Sequence, residues 1–590
     1  MKKIYYLCLA AALTLSGCED FLDSTNYTGK DSSNFPTSEQ DVDQMVAAVY
    51  AATFNAPLNN TVGPYLFLAD LASDDMYGGG GANDKSDQAL DLLMYNSVSD
   101  GESQWTASYK AISRANAALA SVSNVADSVL RNQTKGELQF LRAYNYFTLT
   151  QMFGSVPMLS KAPDNITEAN VAPAQAPVDS IYMKIASDLY NATRIMPSYP
   201  YDKWSKITYG HATRWAAEAL LARVYLFYTG FYNKSSLPTD GSDGVPAQIT
   251  KDMVVSALED CINNSGFSLL SDYRSLWAYS NDKTKSDYDY TKDLTTTWND
   301  NNSENMFAIA FTYLSEWSGT QLPLTNQYAL FFGIRANNWQ DDAKYSSGNK
   351  GSVYPFGTGW GCGPVAVNLV DDWKAAEPND KRIDASIMKV SDDYDFTNED
   401  HMIAGTGYYN KKICPVRSDG GAYYTFCAQK FGTGEKGHFQ ASSSQDMILI
   451  RYADVLLMHS ELTDGKVIEK YGSTGLNIVR KRAGLSDEAY SLAALQNERR
   501  WEFAFEGLRW GDIRRWHIAE SALAKQLGQP IYVDGVKTVM TNQGDGYVAR
   551  YKATNGFYRI PSNQISLSAG AYKQNAGWDG TTGYYSQWVK

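Results

Sequence analysis

At 590 residues the chain is too long for one small core, so it is built from more than one domain or from one large repeat array. Hydrophobic residues at 44% and charged residues at 20% are the proportions of a globular protein. A net charge of −13 with no basic stripe argues against a nucleic-acid partner. The aromatic load is 14 Trp, 41 Tyr and 22 Phe; part of it is core, and the rest suits surfaces that stack on flat ligands.

Residues 1–17 read as a targeting segment. Lys2 and Lys3 are its positive start, and the apolar run Ile4–Leu15 is too short to span a bilayer but has signal-peptide length. The run ends in Leu15-Ser16-Gly17-Cys18, which resembles a bacterial lipobox with Cys18 as the lipidated residue. Lipidation there would anchor the chain to a membrane. Residues 18–35 then form a polar tether, and Glu19 and Asp20 resemble a surface-export signal. Outside this segment Cys261, Cys362, Cys414 and Cys427 remain. A Cys414–Cys427 disulfide and isolated buried thiols are both open.

Ser38, with Asp41 three residues on, has the spacing of a capping box and predicts a helix with Val42, Val46 and Val49 on its apolar stripe. Leu66–Asp100 has little periodicity. Within it Gly78–Gly81, flanked by Asp74, Asp75, Tyr77, Asn83 and Asp84, reads as a long flexible polar loop. Helical stripes follow at Trp105–Val122, Leu138–Met152, Ile181–Leu189, Trp215–Val224 and Val254–Cys261. Paired amphipathic helices with small residues between large ones suggest a tetratricopeptide-type repeat over 36–264. From 265 to 445 Gly, Asn, Asp, Ser, Tyr and Trp dominate, and the region reads as an irregular insertion carried on the helices.

In 446–590 helices resume. Ile448–Met458 reads as entering a helix, Gly475–Arg482 as a short one, and Leu495–Trp516 as a helix continuing to about Leu527. That last stretch crowds charge among large apolar residues. Helical spacing offers Arg499–Glu502, Glu506–Arg509 and Arg509–Asp512 as pairs, with Gly507 marking a close contact or a break. A catalytic carboxylate cluster and a structural ion network both fit; the second is the plainer account of so many arginines beside carboxylates. Beyond it, short strands and turns are expected to the end.

Several runs together resemble the SusD/RagB family of outer-membrane nutrient-binding lipoproteins. They are the lipobox at Cys18, YADVLLM at Tyr452–Met458, VRKRAGL at Val479–Leu485, ERRWEFAFEGLRWGDIRRW at Glu498–Trp516, Ile560-Pro561 and QNAGW at Gln574–Trp578. Trp105, Tyr109, Ile112 and Asn116 are similar to the family's early repeat helix, and Leu369–Arg382 to its segment before the C-terminal helices. His459-Ser460-Glu461 and Ala576 depart from the pattern locally. The resemblance implies a mainly α, SusD-like fold with tetratricopeptide-type helix pairs as scaffold. It implies a lipid-anchored protein on the outside of the outer membrane, capturing a glycan and passing it to a SusC-like TonB-dependent transporter. It leaves peptide capture open as an alternative.

Sugar recognition needs flat aromatic faces and polar groups for the hydroxyls. The expected ligand residues are Trp339 and Trp360 first, in NNWQDD and GTGWGCG, then Trp317, Trp298, Asn338, Tyr77, Asn83 and Asp84. Catalysis finds little support: there is no HExxH, no GxSxG, and the Gly357–Gly363 run lacks the strand–helix setting of a dinucleotide loop. A surface glycoside hydrolase would need two facing carboxylates, and none stands in a recognisable motif. No cofactor is expected. Asp392, Asp393, Asp395, Asn398, Glu399 and Asp400 could hold Ca²⁺ or simply be a solvated acidic loop.

Overall fold

Ser38 starts the scaffold. Its hydroxyl accepts the Asp41 N–H at 3.2 Å while Asp41 Oδ2 accepts the Ser38 N–H at 3.3 Å, so the expected capping box is present at the start of α1 (Glu39–Thr53). The computed structural model describes residues 35–54, 65–96, 101–162, 172–203, 210–277, 302–311, 326, 328–332, 334–335, 358–390, 392, 394–398, 401–413, 416–417, 423–424 and 445–589. After α1 come α2 (Tyr65–Leu71) and α3 (Lys85–Asp91), two helices that the weak periodicity of this stretch conceals. Then follow α4 (Glu102–Ser121), α5 (Ser128–Phe153), α6 (Val178–Ile195), α7 (Arg214–Phe231) and α8 (Lys251–Asn264). Their starts are chemically marked: Asp127, Thr213 and Thr250 each accept a backbone N–H of the first turn. Gly154 closes α5 at φ 68°, a left-handed angle that suits glycine.

Each long helix packs on the next, α4 on α5, α5 on α6, α6 on α7 and α7 on α8. Small residues make this close approach possible; Ala216, Ala217, Ala219 and Ala222 of α7 are all buried. Polar clamps lie inside the layers. Arg142 of α5 donates from Nε and Nη2 to Asp188 of α6 at 2.7 and 2.8 Å, and from Nη1 to Asn116 of α4 at 2.6 Å. The array is a mainly helical scaffold, and one apolar cluster runs through it from Val42 to Tyr585.

The middle of the chain adds α9 (Tyr328–Phe331), α10 (Val367–Ala376) and α11 (Lys381–Ser386). The C-terminal portion adds α12 (Tyr452–Leu462), α13 (Gly475–Arg482), α14 (Leu492–Glu502), α15 (Arg509–Arg515), α16 (Ala519–Ala524), α17 (Tyr547–Thr554) and α18 (Ser562–Leu567). Three sequence expectations change here. Met447–Arg451 is a strand, paired antiparallel with Asn305–Ile309, and the helix begins only at Tyr452. All five of its residues are buried, and an unbroken apolar run of that length fits a buried strand as well as a helix. The tail carries α17 and α18 besides its single Pro530–Val539 hairpin.

The third change concerns Leu495–Leu527, which is three short helices. Phe505 and Gly507 take φ 64° and 71°, and His517 takes φ 57°, so the chain turns sharply twice. Left-handed angles at Phe505 and His517 are unfavourable for residues with a Cβ and are held by the surrounding contacts. The Gly507 N–H donates to Asp70 Oδ1 at 2.7 Å, which ties the first turn to the end of α2.

These breaks send the charges outward to distant partners rather than along one helix. Arg499 reaches Asp454 at 2.7 Å and Asp512 at 2.9 Å; Arg223 of α7 binds the same Asp454 at 2.7 Å. Glu502 takes Arg382 at 2.8 Å together with Arg451 and Arg482. Glu506 takes Lys412 and Arg451, and Arg509 takes Asp74 at 2.7 Å. Arg500 donates to Asp75 at 2.7 Å and to Asp372 at 2.8 Å.

Burial works against the Asp454 charge, but Arg223 and Arg499 outweigh it and hold the group down at about 2. Burial likewise opposes the charge on Glu502, and Arg482, Arg451 and Arg382 keep it well below the usual carboxylate range. Such pairs are desolvated on both sides, so they specify geometry more surely than they add stability.

Candidate functional site

The four glycines at 78–81 are packed and bonded, in contrast to the flexible polar loop their composition suggests. Gly78 N–H donates to Asp91 Oδ2 at 2.8 Å, and Gly80 N–H donates to Gly361 O at 2.8 Å. Gln88 Nε2 spans the turn, donating to Gly79 O and Gly81 O at 2.9 Å each. Glycine is required twice over. Gly79 and Gly80 have φ 64° and 66°, and a Cβ on Gly78 would lie 2.6 Å from the Asp87 carbonyl oxygen.

This turn and α3 position the acid that faces the middle of the chain. Asp84 Oδ2 accepts the Gly81 N–H at 2.7 Å and Arg335 Nη1 at 2.9 Å. The same Arg335 nitrogen donates to Trp360 O at 2.8 Å. Arg335 ends the two-residue strand Ile334–Arg335, which pairs in parallel with Thr358–Gly359 immediately before Trp360. The Trp360 indole is half-buried, and Phe331 meets it edge-to-face at 5.1 Å and 74°. An aromatic ledge, a guanidinium and a carboxylate therefore stand together at one corner, with Asn83 exposed beside them.

Burial in the layer beneath favours the protonated forms of its acids. Burial pushes the Asp87 carboxyl up to about 8, with the Cys362 thiol hydrogen bond, at 3.1 Å, pulling the other way. Burial and the neighbouring Asp87 push the Cys362 thiol well up. Cys362 and Cys261 are free buried thiols. Cys414 and Cys427 lie outside the described residues, as does Cys18.

Of the residues expected at a sugar site, Asp84 and Trp360 are linked here through Arg335, and Asn83 precedes Asp84 in the chain. Tyr77 does not join them. It is 0% exposed, its hydroxyl donates to Gln526 O at 3.2 Å, and it has no open face for a ligand, so it serves as core. Trp298, Trp317, Trp339 and Asn338 lie outside the described residues. Arg335 is the residue that sequence reasoning missed. Its setting in FGIRANNW is polar and aromatic, yet nothing local announces a partner 251 positions earlier.

In the acidic stretch considered for Ca²⁺, Asp392 pairs with Lys389 at 2.5 Å and Asp395 accepts from Thr397. Asp393, Glu399 and Asp400 lie outside the described residues. Among the described residues no group of three His, Cys, Asp or Glu is arranged to hold a metal ion.

The charged stretch at Leu495–Trp516 offers no comparable surface. Glu498 and Glu502 are fully buried against arginines. The cavity beside Gly507 and Gly511, lined also by Tyr65, Gln151, Arg223 and Asp512, measures about 50 Å³. Small-molecule sites run to roughly 300–1,000 Å³, so this cavity is a place for a few waters and not for a sugar.

The described residues form a mainly helical scaffold on which Asp84, Arg335 and Trp360 are linked by hydrogen bonds. Residues 263–578 match the model of the SusD family, and residues 20–226 match a family described as starch-binding and associating with the outer membrane. The chain belongs to the SusD family. A SusD-like protein of Bacteroides ovatus is 24% identical over 540 residues, covering 88% of this chain and 83% of the relative. Among solved structures, a laminarin-binding SusD-like protein superposes with a TM-score of 0.63 at 23% identity, over 92% of this chain and 100% of the other. Surface glycan-binding protein A from Bacteroides fluxus gives 0.66 at 22% identity, over the same shares.

Proposed function

We propose that the protein is a cell-surface lipoprotein of the outer membrane, anchored through Cys18, which captures oligo- or polysaccharide without cleaving it and delivers it to a SusC-like TonB-dependent transporter. The observation that carries the reading is family membership along nearly the whole chain, with solved relatives whose names describe laminarin or surface-glycan binding. The half-buried Trp360 ring, whose backbone is tied to Asp84 through Arg335, and the exposed Asn83 are the kind of flat face and polar groups that sugar rings use.

Affinity electrophoresis and calorimetry against a panel of polysaccharides and a panel of peptides test the capture step. Retention by a polysaccharide with no new reducing ends supports the reading. Release of product makes it a hydrolase, and peptide binding without any glycan retention makes it a peptide-capturing member. Replacing Cys18 by Ala should free the protein from membranes, and co-purification from the native membrane should bring a TonB-dependent barrel with the wild type.

A further inference from the structure

The cation bonded to the Trp360 backbone is already committed. Arg335 Nη1 donates to Asp84 Oδ2 and to the Trp360 carbonyl, at 2.9 and 2.8 Å. Its guanidinium also lies directly against Gly81, where an added Cβ would fall 2.2 Å from Nη2 and 2.6 Å from Cζ. Arg335 thus spans three elements, the glycine turn, the start of α3 and the strand leading into Trp360. Its charge is matched by Asp84. The chain as a whole, at −13, repels polyanions.

We propose that the Trp360 corner takes an uncharged sugar ring, Arg335 acting as the positioning residue for the indole and not as a receptor for carboxylate or sulfate groups. This rests on the glycan-capture reading above. A pyranose presents an apolar face to an indole and hydroxyls to neighbouring polar groups. An acidic sugar would have to draw Arg335 away from Asp84 and leave that carboxylate without its counterion.

The test uses the full chain against neutral polysaccharides (β-glucan, starch, xylan, mannan) and acidic ones (polygalacturonate, alginate, chondroitin sulfate), by affinity electrophoresis, calorimetry and ligand-dependent Trp fluorescence. The wild type should bind one of the neutral set and none of the acidic set. Trp360→Ala should weaken that binding about tenfold, the worth of one stacked ring. Arg335→Gln should weaken it too and reduce the fluorescence response, and Arg335→Lys, which keeps the charge, should restore part of each. Gly81→Ala displaces the guanidinium without changing charge and should resemble Arg335→Gln, with the melting temperature of each variant recorded as the control for folding.

Salt-sensitive binding of an acidic glycan by the wild type, lost in Arg335→Gln, overturns the proposal. So does neutral-glycan binding that Trp360→Ala and Arg335→Gln leave unchanged. Binding of neither panel would instead sink the glycan-capture reading itself.

Discussion

Arg335 and Asp84 meet at 2.9 Å although 251 positions separate them in the chain. The contact joins the glycine turn after α2 to the strand that delivers Trp360, so an element of the helical scaffold sets the height of an aromatic in the irregular middle. Trp360→Ala removes a half-buried ring whose neighbour Phe331 keeps its own packing against Phe67. We expect glycan affinity to fall about tenfold and the melting temperature to shift by only a few degrees. Calorimetry and thermal unfolding of the same preparation check both halves. Trp339→Ala, outside the described residues, is expected to weaken binding in the same way.

Tyr77 gives the opposite pattern. Tyr77→Ala empties a fully buried site and should cost about 3–5 kcal/mol in urea unfolding, whereas Tyr77→Phe deletes only the hydroxyl on Gln526 O and should cost about 1 kcal/mol. Neither should alter the affinity of the molecules that remain folded. A specific loss of glycan binding in Tyr77→Phe would return this residue to the ligand site.

Arg499 holds Asp454 and Asp512 together deep in the interior. Arg499→Ala leaves both carboxylates short of a partner and should cost about 3–5 kcal/mol. Arg499→Lys keeps the charge but loses the fork and should fall between that variant and the wild type. The urea midpoint of each, set beside its glycan affinity, separates a structural role from a binding one.

The buried acids make stability depend on pH in two opposite directions. Asp454, held at about 2 against an ordinary 3.8, contributes stability that is present above 3.8 and lost as pH falls through 2. Burial pushes Asp70 and Asp87 up to about 8, so their folded forms retain a proton that the unfolded chain gives up near 3.8. Their contribution is full below 3.8 and is lost as pH rises from there to about 8, at roughly 1.4 kcal/mol per pH unit for each group. Asp87→Asn should therefore flatten the fall in urea midpoint between pH 5 and about 8, and an unchanged slope would show that Asp87 is ionised in the fold.

Much of the scaffold was legible in the sequence because helix ends carry local chemistry. Ser38 with Asp41 marked α1, and Gly475–Arg482 is a helix with the expected bounds. The run Met447–Arg451 was not legible as a strand, since its buried residues have no polar alternation and its partner lies near Asn305. The breaks at Phe505 and His517 were hidden for a related reason. Both residues are held at left-handed angles by the fold around them, and charge spacing along one helix pointed to pairs that the turns pull apart. At the candidate site the sequence offered Trp360, Asn83 and Asp84 through their polar and Gly-rich settings and the family resemblance, and the structure links Asp84 to Trp360 through Arg335. The sequence could not show Arg335, whose contact reaches across the fold, and it offered Tyr77 as a ligand residue from its place in the loop after the first helices, where the structure buries it.

The pairing of Asp74 and Asp75 with Arg509 and Arg500 bears on the order in which the molecule can be assembled. The partners stand 435 and 425 positions apart, and both aspartates are buried. During synthesis the segment after α2 is finished long before its counterions exist, and burying it early would strand two carboxylates without partners. Closure over so long a loop is slow. The segment after α2 therefore gains its counterions only when the Arg500–Arg509 stretch packs against it, which locks the beginning of the chain to its end.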